Sequence, residues 1–136
     1  MFNRIDHIGV AVEEIDAALA LYRDAFQMSV AHREIVEEQG VEAVLLDVGE
    51  NHVELIAPLG PDTPVGRFIA KRGPGLHHVA YQVSDIEATL TALTATGLSL
   101  SGEWPRVGLR GALVAFLEPK DTGRVLTELV QHVEVH

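Results

Sequence analysis

Asp6-His7-Ile8-Gly9-Val10-Ala11-Val12 and His77-His78-Val79-Ala80-Tyr81-Gln82-Val83 read as one pattern written twice, 71 positions apart. Both are β-branched and apolar enough to be strands. Each leads into a stretch with helical spacing, Ile15, Leu19, Tyr22 and Phe26 in the first copy and Ile86, Leu90, Leu93 and Gly97 in the second, still 71 apart. Ser84 with Glu87 predicts a capping box at the start of the second helix, and Gly97 predicts its stop. Short β-rich segments follow in each copy, about 30–36, 41–48 and 51–57, then about 98–103, 111–117 and 124–130. The last strands also match, His52-Val53-Glu54-Leu55-Ile56 with Leu126-Thr127-Glu128-Leu129-Val130, now 74 apart, so a small loop insertion separates the halves' lengths.

Each half therefore reads βαβββ, and the expected class is α+β. A lone unit of about 60 residues would bury little surface and leave sheet edges open. Two units side by side answer both problems, so 1–136 is expected to be a single domain, with one module over about 1–58, a linker over about 59–75 and a second module over about 76–136. Within the linker, Val65, Phe68 and Ile69 predict a helical turn or two. Neither Pro58 nor Pro61 is expected inside a strand.

Side chains alternate along a strand. His7 shares a face with Ile5, Gly9 and Ala11, and the bulkier Ile8, Val10 and Val12 are expected to meet the helix. In the second copy His78 lies with Ala80 and Gln82, which makes His78, and not His77, the counterpart of His7. Glu54 and Glu128 stand at matching places within apolar strands, where a charge is costly unless paired or bound to metal. A single histidine in a strand is more often a hydrogen-bonded core residue, and a single glutamate more often solvated. Recurrence of both types in both halves argues instead for one N2O2 metal site formed by His7, Glu54, His78 and Glu128. His32, His52, His77, His132 and His136 lack that pairing and are read as structural or exposed.

The 136 residues carry 20 acidic and 10 basic side chains, a formal charge of −10, which argues against binding nucleic acid or anionic membrane. Only 5 % are aromatic, and there is no cysteine, so thiolate ligands are excluded and the expected location is the cytoplasm. No apolar run has the length of a signal peptide or a membrane span. Co(II), Mn(II), Ni(II), Zn(II) and Fe(II) all suit an imidazole and carboxylate set.

At IDHIGVAV (5–12), EEQGV (37–41), VELIAPLG (53–60), RGPGLHHVAYQV (72–83), PRVGLRG (105–111) and AFLEPKDTGRVLTELVQ (115–131) the chain resembles the vicinal-oxygen-chelate superfamily. That superfamily includes glyoxalases, bleomycin-resistance proteins and dioxygenases, and the likeness is greatest to its methylmalonyl-CoA epimerase family. The resemblance implies an eight-stranded, incompletely closed barrel-like sheet around a divalent metal, with Co(II) first among the candidates, and a homodimer. It maps the family's metal histidines onto His7 and His78, its carboxylate ligand onto Glu128 and its remaining ligand position onto Glu54. Some epimerases carry Gln at that last position, whereas glyoxalase I carries Glu.

The implied activity is epimerisation of methylmalonyl-CoA at C2 through a metal-stabilised enolate, with Glu54 and Glu128 as acid and base and Glu42 as a weaker third candidate. Lys71, Arg72, Arg106, Arg110, Lys120 and Arg124 are the cations available for CoA phosphates. The rivals on the same scaffold are a glyoxalase I-like enzyme, an Fe(II) dioxygenase, and a drug-binding resistance protein that does no chemistry.

Overall fold

The computed structural model describes residues 1–133, and His136 lies outside them. Among the described residues, eight strands and three α-helices follow one another: β1 (Arg4–Ala11), α1 (Ile15–Leu19), β2 (Ser29–Val36), β3 (Val41–Val48), β4 (Asn51–Pro58), α2 (Pro64–Arg72), β5 (Gly75–Gln82), α3 (Ile86–Ala95), β6 (Arg106–Val107), β7 (Leu113–Leu117) and β8 (Thr127–Gln131). The strands form one mixed sheet in the order β2-β3-β4-β1-β5-β8-β7-β6. The α+β class and the eight-stranded sheet are those the sequence predicts. The chain divides into two compact units, one from His7 to His77 and the other made of Met1–Asp6 with the residues from His78 onward.

Inside each unit the same pairing recurs. Strand β1 runs parallel to β4, with Gly9 opposite Glu54 and Val10 opposite Leu55. Strand β5 runs parallel to β8, with Ala80 opposite Glu128 and Tyr81 opposite Leu129. The antiparallel pairs agree too, Leu45 facing Glu54 and Phe116 facing Glu128. Leu45 and Phe116 keep the offset of 71 while their partners are 74 apart, so the three extra residues lie between Phe116 and Glu128. That stretch contains a 3-10 turn at Pro119–Asp121.

The cores repeat as well. In the first unit Ile15 and Leu19 of α1 bury against Val44, Leu46, Leu55 and Ala57. In the second, Ile86 and Leu90 of α3 bury against Ala115, Leu117 and Leu129. Full burial of such side chains contributes about 1.5–3 kcal/mol each, enough to set strand register in both units.

Several local expectations need correction. After α1 the backbone widens to a π-helix over Ala20–Ala25, and the Phe26 N–H reaches the Leu21 carbonyl at 2.8 Å. The extra residue per turn carries Phe26 off the core stripe, leaving it 55 % exposed. Helix α3 is capped by Asp85, whose carboxylate accepts from the Ala88 N–H at 3.0 Å, while Ser84 accepts from the Asn3 amide. Gln131 takes the Ile86 N–H, so the first turn is satisfied without the predicted Ser84–Glu87 box. Gly97 does stand past the helix end with φ +100°.

The strand expected over 98–103 is reduced to a bridge between Leu100 and Leu117, and the sheet resumes at Arg106–Val107. Gly102 at φ +91° and Pro105, which has no N–H, interrupt the ladder between them. The strands expected over 111–117 and 124–130 begin at Leu113 and Thr127, beyond residues of positive φ at Arg110, Gly111, Gly123 and Arg124. Pro58, expected outside, is the last residue of β4 opposite Val41, where the ladder ends.

Helix α2 starts where Thr63 accepts from the Gly66 N–H at 3.0 Å, with Pro64 in the first turn. A Cβ at Gly66 would stand 2.4 Å from the Gly60 carbonyl oxygen and 2.9 Å from that of Pro61. Both are backbone atoms and cannot swing away. Gly66→Ala is expected to lower unfolding free energy by about 1–3 kcal/mol, the range for overpacking. Urea midpoints of the two proteins check this, and equal midpoints would mean that the turn yields freely.

Candidate metal and acid–base site

The face of β1 turned away from α1 carries His7, Gly9 and Ala11, all buried. Val10 and Val12 pack on the α1 core as expected, but Ile8 is 41 % exposed, beyond the helix's cover. Because Gly9 stands opposite Glu54, the glutamate projects over a residue with no side chain. His7 Nε2 and Glu54 Oε1 are 3.8 Å apart, with side chains 5 % and 13 % exposed.

In the second unit Ala80 takes the place of Gly9. His78 Nε2 and Glu128 Oε1 are 3.0 Å apart, and the side chains are only 2 % and 7 % exposed. Small residues at 9 and 80 are what allow a histidine and a glutamate from adjacent strands to meet above the sheet. Both sequence-predicted pairs are therefore present, each within its own unit and at equivalent register.

The donor set suits a borderline divalent metal. It offers imidazole nitrogen and carboxylate oxygen, and the chain has no thiol. Two neighbouring ligands at about 2.1 Å from one octahedral ion stand about 3.0 Å apart. His78 and Glu128 have that separation, which also suits a hydrogen bond between them.

The weaker third candidate, Glu42, falls on the other face. Glu42 lies opposite Ala57, a member of the α1 core cluster, and so shares the α1 side of the sheet. It accepts from Arg33 Nε at 2.9 Å, and Arg33 also reaches Asp16 of α1 at 3.0 Å. The Arg33 guanidinium is raised above its usual range, first by the Glu42 hydrogen bond and then by that of Asp16. Glu42 is thus a strut between strands and helix.

His32 meets Glu34, His52 meets Asp47, and His77 stands edge-on to Phe68 at 4.7 Å. His132 is bonded to Asp6, a buried carboxylate that the sequence reading passed over. Among the cations, Arg72 lies over the Phe68 ring and Arg106 over the Trp104 ring. The aromatic surroundings of His78 were also missed. Phe116 stands 5.6 Å from the His78 ring at 90°, and Trp104 stands 5.4 Å from Phe116. The offset of 71 points to Phe116 as the counterpart of Leu45, but it carries no sign of Trp104.

Residues 6–116 match the model of the glyoxalase/bleomycin resistance protein/dioxygenase superfamily. An ethylmalonyl-CoA/methylmalonyl-CoA epimerase of Cereibacter sphaeroides is 35 % identical, over 96 % of this chain and 99 % of its own. The mitochondrial methylmalonyl-CoA epimerase of Mus musculus is 36 % identical, over 95 % of this chain and 73 % of its own. An uncharacterized protein of Bacillus subtilis, YqjC, is 40 % identical over 95 % of this chain and 92 % of its own.

Among solved structures, a variant of the Streptomyces coelicolor methylmalonyl-CoA epimerase bound to 2-nitronate-propionyl-CoA superposes with a TM-score of 0.95. It is 36 % identical and covers 98 % of this chain and 100 % of its own. The methylmalonyl-CoA epimerase of Mycobacterium tuberculosis gives 0.93 at 36 % identity, over 98 % and 90 %.

Proposed function

We propose, on the premise that this chain belongs to the glyoxalase/bleomycin resistance protein/dioxygenase superfamily and is an enzyme akin to its methylmalonyl-CoA epimerases, that it inverts C2 of methylmalonyl-CoA. The observation that carries the reading is the duplicated histidine–glutamate pair, largely shielded from solvent, one in each unit at matching register. His7, Glu54, His78 and Glu128 would hold one divalent ion, with Co(II) preferred and Mn(II), Ni(II) or Zn(II) as alternatives. Each of them offers an imidazole nitrogen or a carboxylate oxygen. When bound, such an ion supplies Lewis-acid polarisation of the thioester oxygen.

The residues themselves account for the proton. C2 lies between a thioester carbonyl and a carboxylate, and its proton is acidic only when the thioester can take up the negative charge. One glutamate of the pair Glu54 and Glu128 removes the proton from one face, leaving an enolate. The other, acting from its protonated form, gives its proton to the opposite face, and the epimer results. Low exposure of both side chains keeps bulk water from competing for the enolate.

This reading takes the chain as one domain of two modules, acting in the cytoplasm as a homodimer. No helix among the described residues is long and apolar enough to cross a membrane.

The test is a single epimer of methylmalonyl-CoA in D2O with Co(II)-loaded protein, following C2 deuterium uptake and conversion together. Both are expected, and both should vanish with chelator. Absence of exchange would overturn the epimerase reading. Glu54, the residue glyoxalase I carries at this position, then makes methylglyoxal–glutathione hemithioacetal the next substrate to try.

A further inference from the structure

Resting on the metal reading above, we propose that Phe116, backed by Trp104, is a positioning residue that holds His78 and Glu128 in ligand geometry and makes that pair the anchor of the site. Phe116 on β7 is directly opposite Glu128 on β8, so the two side chains share a face and stand close together. Its ring reaches across β8 to the His78 ring on β5, 5.6 Å away and perpendicular, the edge-to-face arrangement that aromatic rings prefer. One phenyl ring thus touches the space of both ligands.

Phe116 is itself supported. Trp104 packs on it at 5.4 Å and also against Ala80, Ala112, Val114 and Val130 on the same face. Arg106, opposite Val114 in β6, lays its guanidinium 5.2 Å from the Trp104 ring while its Nε donates to the Glu103 carbonyl. Arg106, Trp104, Phe116 and His78 therefore form a continuous row. The Trp104 indole N–H is buried with no hydrogen-bond partner among the described residues. Such a donor persists where packing over-determines the position of the ring. Gly102 is part of that packing, since a Cβ there would stand 3.1 Å from the indole nitrogen.

The first unit has no such wall opposite its glutamate. Leu45 occupies the place of Phe116, opposite Glu54. An aliphatic side chain cannot make the perpendicular ring contact, and there the histidine–glutamate separation is 3.8 Å in place of 3.0 Å. Glu54 is also the more exposed carboxylate. The duplicated site is thus unequal: one pair stands against an aromatic ring at 3.0 Å separation, and the other faces an aliphatic side chain at 3.8 Å.

The experiment is a Co(II) titration of metal-free protein, read by calorimetry, by cobalt absorption and by emission of Trp104, the only tryptophan in the chain. Supporting shells around a metal ligand are worth about 10–100-fold in affinity, and Phe116→Leu is expected to lose that much. Phe116→Tyr should restore the affinity, because it keeps the ring. Leu45→Val should bind Co(II) as the parent does. Thermal midpoints separate loss of affinity from loss of fold. Parental affinity in Phe116→Leu, or an equal loss in Leu45→Val, would overturn the anchor alone. A parent protein that takes up no Co(II) would overturn the metal reading itself, and the anchor with it.

Discussion

His78→Ala is expected to abolish tight metal binding and turnover together, whereas His77→Ala keeps both. The two residues are neighbours in sequence but differ in environment. His78 is buried beside Glu128 at 3.0 Å, while His77 stands edge-on to Phe68 of α2. Outer partners of a metal ligand are worth about 10–100-fold in affinity, and removing the ligand should cost more than that. Leaving Glu128 buried without its partner also costs about 1–3 kcal/mol of stability, so His78→Ala needs a companion that folds. His78→Gln retains a donor for Glu128 and a poor ligand for the metal. It should melt close to the parent and still lose the ion. His77→Ala gives up one aromatic contact, about 0.5–1.5 kcal/mol, with no change in metal content. Elemental analysis after dialysis decides the matter, and equal loss from both variants would mean that the strand faces are misassigned.

That contrast between neighbours was legible before any coordinates because alternation along a strand is a rigid rule, and the repeat applies it twice. The same rule separates Glu54 from Glu42. Glu54 faces Leu45 on the side away from α1, whereas Glu42 faces Ala57 on the α1 side, where Arg33 holds it. Elements defined by apolar periodicity, such as Ile86 and Leu90 over Leu129, appear where the pattern puts them. What escaped the sequence depends on backbone detail that periodicity does not encode. The π-helix over Ala20–Ala25 displaces Phe26, and positive φ at Arg110 and Arg124 delays β7 and β8. The row from Arg106 to His78 also escaped, because it joins residues from three strands and a loop and is visible only once β5, β8, β7 and β6 are placed side by side.

The larger effect on chemistry is expected from the two glutamates taken one at a time. Glu→Gln keeps size and one oxygen ligand but removes the base, and acid–base catalysis by a positioned carboxylate is worth about 10²–10⁴-fold. Glu54→Gln and Glu128→Gln should each lower epimerisation by that order. They should differ in exchange. If the two glutamates serve opposite faces of C2, each variant retains a base for one epimer only. Presented with that epimer in D2O, it should wash deuterium into C2 without inverting it, and presented with the other it should do nothing. Reversing the variant should reverse the epimer that exchanges. The unequal pairs add a second distinction: Glu128, 7 % exposed and close to His78, should carry the greater loss of metal, and Glu54, 13 % exposed, the lesser. Both readouts come from the same samples, by NMR for C2 and by elemental analysis for metal. If one variant loses exchange with both epimers and the other with neither, a single carboxylate serves both faces and the two-base scheme fails.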